Sequence, residues 1–201
     1  MPVQDRTDLR RRLLAIAARQ SGYFTAAQAL DAGYSYPAQG YHAKRGNWRR
    51  IDRGIYRFPE WPTGPREDLV RWSLWSRGRA VVSHETALSV HELGDVDPAH
   101  VHLTVPPNFR QRNSGVVGHR ADLPRQDIEE HEGFRVTTPL RSLLDVATGE
   151  LDLDQLARAI EEALARGMTT RRALLERADD FGPNAALRIE RALQEVGRDG
   201  V

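Results

Sequence analysis

Residues 22–62 read GYFTAAQALDAGYSYPAQGYHAKRGNWRRIDRGIYRFPEWP, and the order of signals along them decides the fold. Tyr23 and Phe24 form a short extended link. Thr25 stands three residues before Gln28, the capping-box spacing: the Thr oxygen accepts from the Gln28 N–H while the Gln side chain reaches back. Ala26, Ala27, Ala29 and Leu30 favour the helix so begun, and Gly33 stops it. Tyr34 makes the turn. Ser35 caps a third helix, tolerates Pro37 in its first turn, and runs to about Arg45 before Gly46. Two short helices joined by a Gly-containing turn have helix-turn-helix spacing. Residues 48–51 and 55–58, rich in aromatic and β-branched side chains, flank Asp52-Arg53-Gly54 and predict a hairpin. Ahead of the stretch, Leu9, Leu13, Ile16 and Ala17 recur at helical spacing and predict an amphipathic helix over 8–20, ended by Ser21-Gly22. Behind it, Pro59, Pro62, Gly64 and Pro65 make a linker. Three helices followed by a basic hairpin predict a winged helix-turn-helix over residues 1–62.

That order carries a chemistry. The second helix of such a motif enters the major groove of double-stranded DNA. Here it would offer Tyr36, Gln39, His42, Lys44 and Arg45, with Thr25 and Ser35 at the helix starts. Gln39 suits an adenine edge, and its loss is expected to relax discrimination at one base pair; Lys44 or Arg45 suits guanine or phosphate. Arg49, Arg50, Arg53 and Arg57 on the hairpin are placed to neutralise phosphates or probe the minor groove. Tyr41 and Trp48 are expected in the core rather than at the contacts. Gly40, inside the helix, either permits close backbone approach or simply costs about 1 kcal/mol of helix stability.

Charge agrees with this placement. The 201 residues carry a net charge of +1, but residues 1–64 hold 11 basic against 5 acidic side chains and the rest hold 18 against 23. A basic head on a mildly acidic body is the pattern of a nucleic-acid-binding segment joined to a part with another task. There are no cysteines, which excludes disulfides, zinc-thiolate sites and thiol catalysis. No apolar run approaches a membrane span and no signal-peptide core opens the chain, so a cytoplasmic protein with no membrane partner is expected.

The body, residues 63–201, reads as α+β, a small sheet covered by helices. Leu69, Val70, Trp72 and Leu74 give one helix; Ser83 caps another carrying Ala87, Leu88 and Val90. Val101, Leu103 and Val105 alternate as a half-buried strand, Val116-Val117 begins a second and residues 134–136 a third. Thr138 caps a helix with Leu140, Leu143, Leu144 and Val146. Asp152 starts one with Leu153, Leu156, Ile160 and Leu164, and two shorter helices follow near 170–177 and 184–196.

Three further segments join the first in a resemblance. VVSHETALSVHELGD (81–95), VHLTVPPNFR (101–110) and RVTTPLRSLLDVA (135–147), with the GYFT start, the Gly-x-Trp and the Arg-Gly-Ile-Tyr-Arg run of 22–62, resemble the AbiEi antitoxins of type IV toxin–antitoxin systems. The resemblance covers most of the chain. It implies an antitoxin encoded beside a nucleotidyltransferase-like toxin. Its winged helix binds inverted repeats in its own promoter and represses transcription. Its C-terminal domain counteracts the toxin without a stable complex. No catalytic residue is implied.

Two other readings stand beside it. One is a plain transcription regulator whose body senses a ligand or dimerises. The other is an enzyme, such as a nuclease, targeted by the winged helix. The second meets obstacles. Lys44 is the sole lysine and lies in the DNA-reading helix, leaving none for a nuclease core or a P-loop, and neither Gly-x-Ser-x-Gly nor Gly-x-Gly-x-x-Gly occurs. His100 and His102 share a strand face that could hold a metal, but no carboxylate-bracketed set appears. His84 and Glu85 are expected to cap a helix or bond locally. No catalytic residue, cofactor or metal site is therefore expected.

Overall fold

The computed structural model describes residues 6–197, which form two compact units. The first runs to Arg79 and includes His131–Phe134; the second holds the residues from Ala80 to Glu130 and from Arg135 on.

In the first unit, α1 (Arg6–Ala18) is followed by β1 (Tyr23–Thr25), α2 (Ala26–Asp31), α3 (Tyr36–Lys44), β2 (Arg49–Asp52), β3 (Ile55–Arg57) and α4 (Glu67–Trp75). The local signals act where the sequence puts them. Thr25 Oγ1 accepts from the Gln28 N–H at 3.2 Å, and Gln28 Oε1 accepts from the Thr25 N–H at 2.8 Å. Together they satisfy two donors that a helix start leaves orphaned. Ser35 caps α3, and Gly54, at φ +71°, turns β2 into β3. The extended link at Tyr23 is more than a link: it pairs antiparallel with β3, so the wing is a three-stranded sheet ordered β1-β3-β2. Beneath it Leu13, Ala17, Phe24, Ala29, Ala32, Tyr34, Trp48 and Phe58 form one core. Phe24 is its centre, with the Trp48 and Phe58 rings each 4.9 Å away. Trp48 is therefore the core residue its aromatic character suggests.

Residues 58–66 lack regular structure, as their prolines dictate. They are nonetheless fastened. Trp61 packs so close to Gly22 that a Cβ there would lie 2.3 Å from the indole Cγ, and Gly22 holds φ +81°. Only glycine fits both demands.

In the second unit a five-stranded sheet runs in the order β6-β5-β4-β8-β7. Its strands are β4 (Val81–Val82), β5 (Val101–Val105), β6 (Val116–Arg120), β7 (Ile128–His131) and β8 (Phe134–Thr137). β4 pairs antiparallel with β5 and parallel with β8, while β5 pairs parallel with β6. α5 (His84–His91), α6 (Pro139–Ala147), α7 (Leu153–Ala165), α8 (Arg171–Ala178) and α9 (Pro183–Val196) complete the unit. Leu88, Leu143, Leu144, Leu156, Ile160, Leu174 and Ile189 are fully buried among them. The α+β expectation holds, with two strands more than the sequence shows.

One buried carboxylate ties these elements together. Asp127, in the turn before β7, accepts from Arg177 Nη1 at 2.7 Å and Nη2 at 2.9 Å, and from Arg141 Nη1 at 3.1 Å. Burial alone would raise its pKa, but the hydrogen bonds from Arg177 and Arg141 hold it below the ordinary 3.8. Asp127→Asn leaves Arg177 without its carboxylate and Arg141 with Asp145 alone, and is expected to cost about 3 kcal/mol, read as a lower urea midpoint. The wild-type contribution is complete above pH 3.8 and is lost as pH falls through the depressed folded value. The difference between wild type and variant should therefore shrink in acid, and a difference that grew there would overturn the assignment.

Candidate nucleic-acid interface

α3 turns two different faces inward and outward. Gln39 is 2% exposed. Its Nε2 donates to the Ala26 carbonyl at 3.0 Å and to the Tyr34 carbonyl at 3.1 Å, so both amide hydrogens are used inside the unit. The expected adenine reader is instead a bracket between α2 and α3. Tyr41, expected in the core, is 55% exposed, and Tyr36 is 68% exposed. The two corrections are one fact. Residues two apart on a helix are separated by about 200°, so with Gln39 inside, Tyr41 must be outside. The outward surface is Tyr36, Pro37, Gly40, Tyr41, Lys44 and Arg45, and the Arg45 guanidinium lies 5.5 Å from the Tyr41 ring centre.

His42 also departs from expectation. Its ring stacks on Trp48 at 4.9 Å and 16° and meets Tyr34 edge-on at 5.3 Å. It is half-buried packing under α3 rather than a free base contact. Thr25 and Ser35 stand at the helix starts as expected, with their oxygens engaged as caps.

On the hairpin, Arg49, Arg50 and Arg53 are exposed. β2 is one of the two outer strands of its sheet, and a register shift between Arg50 and Asp52 interrupts its alternation. Arg57 is different, at 6% exposure. Its guanidinium donates to the Ser21 carbonyl at 3.3 Å, the Pro62 carbonyl at 3.0 Å and Glu67 Oε2 at 2.7 Å, and lies over the Tyr23 ring. A strand alternates its sides, and Ile55 on the same side is buried, so Arg57 follows it inward. It fastens residues 62–67 to the sheet and is not available to a phosphate. Lys44, Arg45, Arg49, Arg50 and Arg53 remain as exposed cations, and none of them is in an ion pair among the described residues.

The histidines of the second unit gather without forming a metal site. His100 lies before β5 and is exposed, so it does not share a site with His102. His102 Nδ1 is instead 3.1 Å from His119 Nε2 and 2.8 Å from Glu85 Oε2. His84 stacks face to face on His119 with ring centres 3.4 Å apart, which prevents the two rings from aiming lone pairs at one point. Among the described residues no group of three or more His, Cys, Asp or Glu is arranged to hold a metal ion. Burial, and then the neighbouring His119, push His84 down to about 3. Burial also lowers His119. Glu85 is pulled upward by burial, but the adjoining His102 and the helix-start backbone hold it at about 2.

A family model described as a transcriptional regulator, AbiEi antitoxin, matches residues 11–59, and one described as the AbiEi antitoxin C-terminal domain matches residues 80–195. No curated protein matches the chain. Among solved structures, the crystal structure of the RV2827C protein from Mycobacterium tuberculosis is similar, with a TM-score of 0.62 and 17% identity over 94% of this chain and 77% of that one. At that identity the likeness shows the fold.

Two predictions come from these positions. Gln39→Ala strands two buried carbonyls and should cost about 1–3 kcal/mol of stability by thermal or urea unfolding, with no base pair singled out in DNA titrations. Relaxed discrimination at one pair with stability intact would return Gln39 to the contact surface. The depressed His84 pKa also sets a pH response. The folded ring stays neutral while the unfolded one protonates below 6.5, so stability falls as pH drops from 6.5 towards 3. The loss is at most about 2 kcal/mol by pH 5, and His84→Asn, which tolerates the left-handed backbone there (φ +52°), should flatten the slope.

Proposed function

The chain belongs to the AbiEi antitoxin family, and on that premise we propose that it is the antitoxin of a type IV toxin–antitoxin pair and the repressor of its own promoter. The first unit binds inverted repeats in double-stranded DNA. The second counteracts a nucleotidyltransferase-like toxin without forming a stable complex with it.

The observation that carries the DNA half is the set of five exposed cations on α3 and the wing. Lys44 and Arg45 end the helix that the motif presents to the major groove; Arg49, Arg50 and Arg53 lie on the hairpin beside it. Cations held out in water at this spacing gain from releasing the counterions condensed on a duplex. They set register and affinity rather than sequence choice. The match of the regulator model to 11–59 supports the same placement. For the second unit, support comes from the match of the antitoxin C-terminal model to 80–195.

The test is a gel-shift titration of the full chain on its own upstream DNA against unrelated DNA. A preference of about a hundredfold or more is expected, and specific regulators typically reach about a thousandfold or beyond. Five neutralised phosphates give a slope of log K against log salt of about −4 to −5. Replacing Arg49, Arg50 and Arg53 together by Ala should weaken binding to every sequence and flatten that slope to about −2. No preference at moderate salt would withdraw the repressor reading. Growth rescue from a co-expressed nucleotidyltransferase-like toxin should survive the triple substitution. Loss of rescue would tie neutralisation to DNA binding instead of to the second unit.

A further inference from the structure

With Gln39 turned inward, α3 presents no side-chain amide to DNA. Its outward rings are Tyr36, with Pro37 beside it, at the N-terminal end where a reading helix meets base edges, and Tyr41 past the middle of the helix. Among the described residues these tyrosines are the two most exposed large hydrophobic side chains. Between them sits Gly40. A Cβ there would meet nothing within 4 Å, and its φ is not in the left-handed region. Neither backbone geometry nor internal packing asks for glycine, yet it costs the helix about 1 kcal/mol relative to alanine. The missing side chain leaves a gap facing outward between two rings. Lys44 and Arg45 come a turn later, at the end of the helix, and are side chains suited to phosphate.

We infer that Tyr36 and Tyr41, with the gap at Gly40, read the 5-methyl groups of thymines in the major groove. The inference rests on the DNA-binding reading above. The thymine methyl is the apolar group that the major groove offers, and apolar side chains are its ordinary contacts. The open position at Gly40 lets the helix backbone come close enough for both rings to reach the groove floor. The Arg45 guanidinium over Tyr41 supports that ring from the C-terminal side. On this account sequence choice is a preference for T·A pairs at the positions under α3, and the cations supply affinity.

The experiment uses a site selected by the full chain from a randomised duplex pool. Thymines in the selected half-site are replaced one at a time by deoxyuridine, which keeps base pairing and the O4 acceptor and removes only the methyl. Binding should fall about four- to tenfold at one or two positions, the scale of one buried methyl or slightly more. In Tyr41→Ala or Tyr36→Ala the penalty at the matching position should vanish, while Tyr41→Phe should keep it. Gly40→Ala should raise the thermal midpoint and yet weaken binding to the selected site, a combination that a purely structural glycine does not give. Specific binding that ignores every deoxyuridine, or tyrosine variants that weaken all sequences alike, would overturn the inference while leaving the DNA-binding reading standing. A chain that selects no site at all would overturn both.

Discussion

The orientation of α3 depends on the two hydrogen bonds of one side-chain amide. Gln39 Nε2 bonds the carbonyls of Ala26 at the start of α2 and of Tyr34 in the turn. A buried amide whose donors lose their partners pays the full cost of desolvation, so the helix cannot rotate about its axis without breaking the bracket. Trp48 fixes it from below by packing on Phe24, Tyr34 and His42. Every property of the outer surface descends from that setting: which tyrosines face water, where the glycine gap lies, and that Lys44 and Arg45 are exposed at the helix end.

Local chemistry was legible in the sequence to the degree that it is local. The Thr25–Gln28 box, the Ser35 and Thr138 caps and the Gly54 turn involve atoms a few residues apart, and all form as read. The facing of α3 was not legible in the same way. Polar and apolar residues are spread so evenly around residues 36–44 that periodicity names no inner side. The inner residue is glutamine because backbone carbonyls of α2 and the turn need donors, and those carbonyls come from outside the helix. Arg57 is a different failure. Period two along Ile55-Tyr56-Arg57 already put it with the buried isoleucine, but its charge argued for solvent. Glu67, ten residues on, resolves the conflict, and no spacing rule reaches it. In the second unit β4 has two residues and β7 reads Ile-Glu-Glu-His. Neither has the length or alternation that a strand shows in isolation.

Removing Gln39, His42 and Arg57 from the contact surface sharpens its character. What is left divides into apolar rings and a gap on the helix, and cations at its end and on the hairpin. These two chemistries act over different ranges. Charge attracts the duplex over about a Debye length and is insensitive to sequence. Ring contact operates only at van der Waals distance and senses a single methyl. On the inference drawn above, the first unit keeps affinity and selectivity on separate side chains.

The placement of the departures from ordinary packing supports the same conclusion. At several other places in the first unit local preference and tertiary structure agree: α2 begins on a capping box, Gly22 is demanded by Trp61 and by its own backbone, and the buried Arg57 has three acceptors. On α3 they disagree. A helix interior holds a glycine that nothing inside requires, two large rings stand in water, and cations beside them have no ion-pair partners among the described residues. Each departure costs the isolated unit stability or exposes apolar area. Local rules broken together on one face are the mark of a surface shaped for something that covers it. The mix of cations, rings and an open gap fits a polyanion with methyl groups in its groove better than it fits another protein's apolar core.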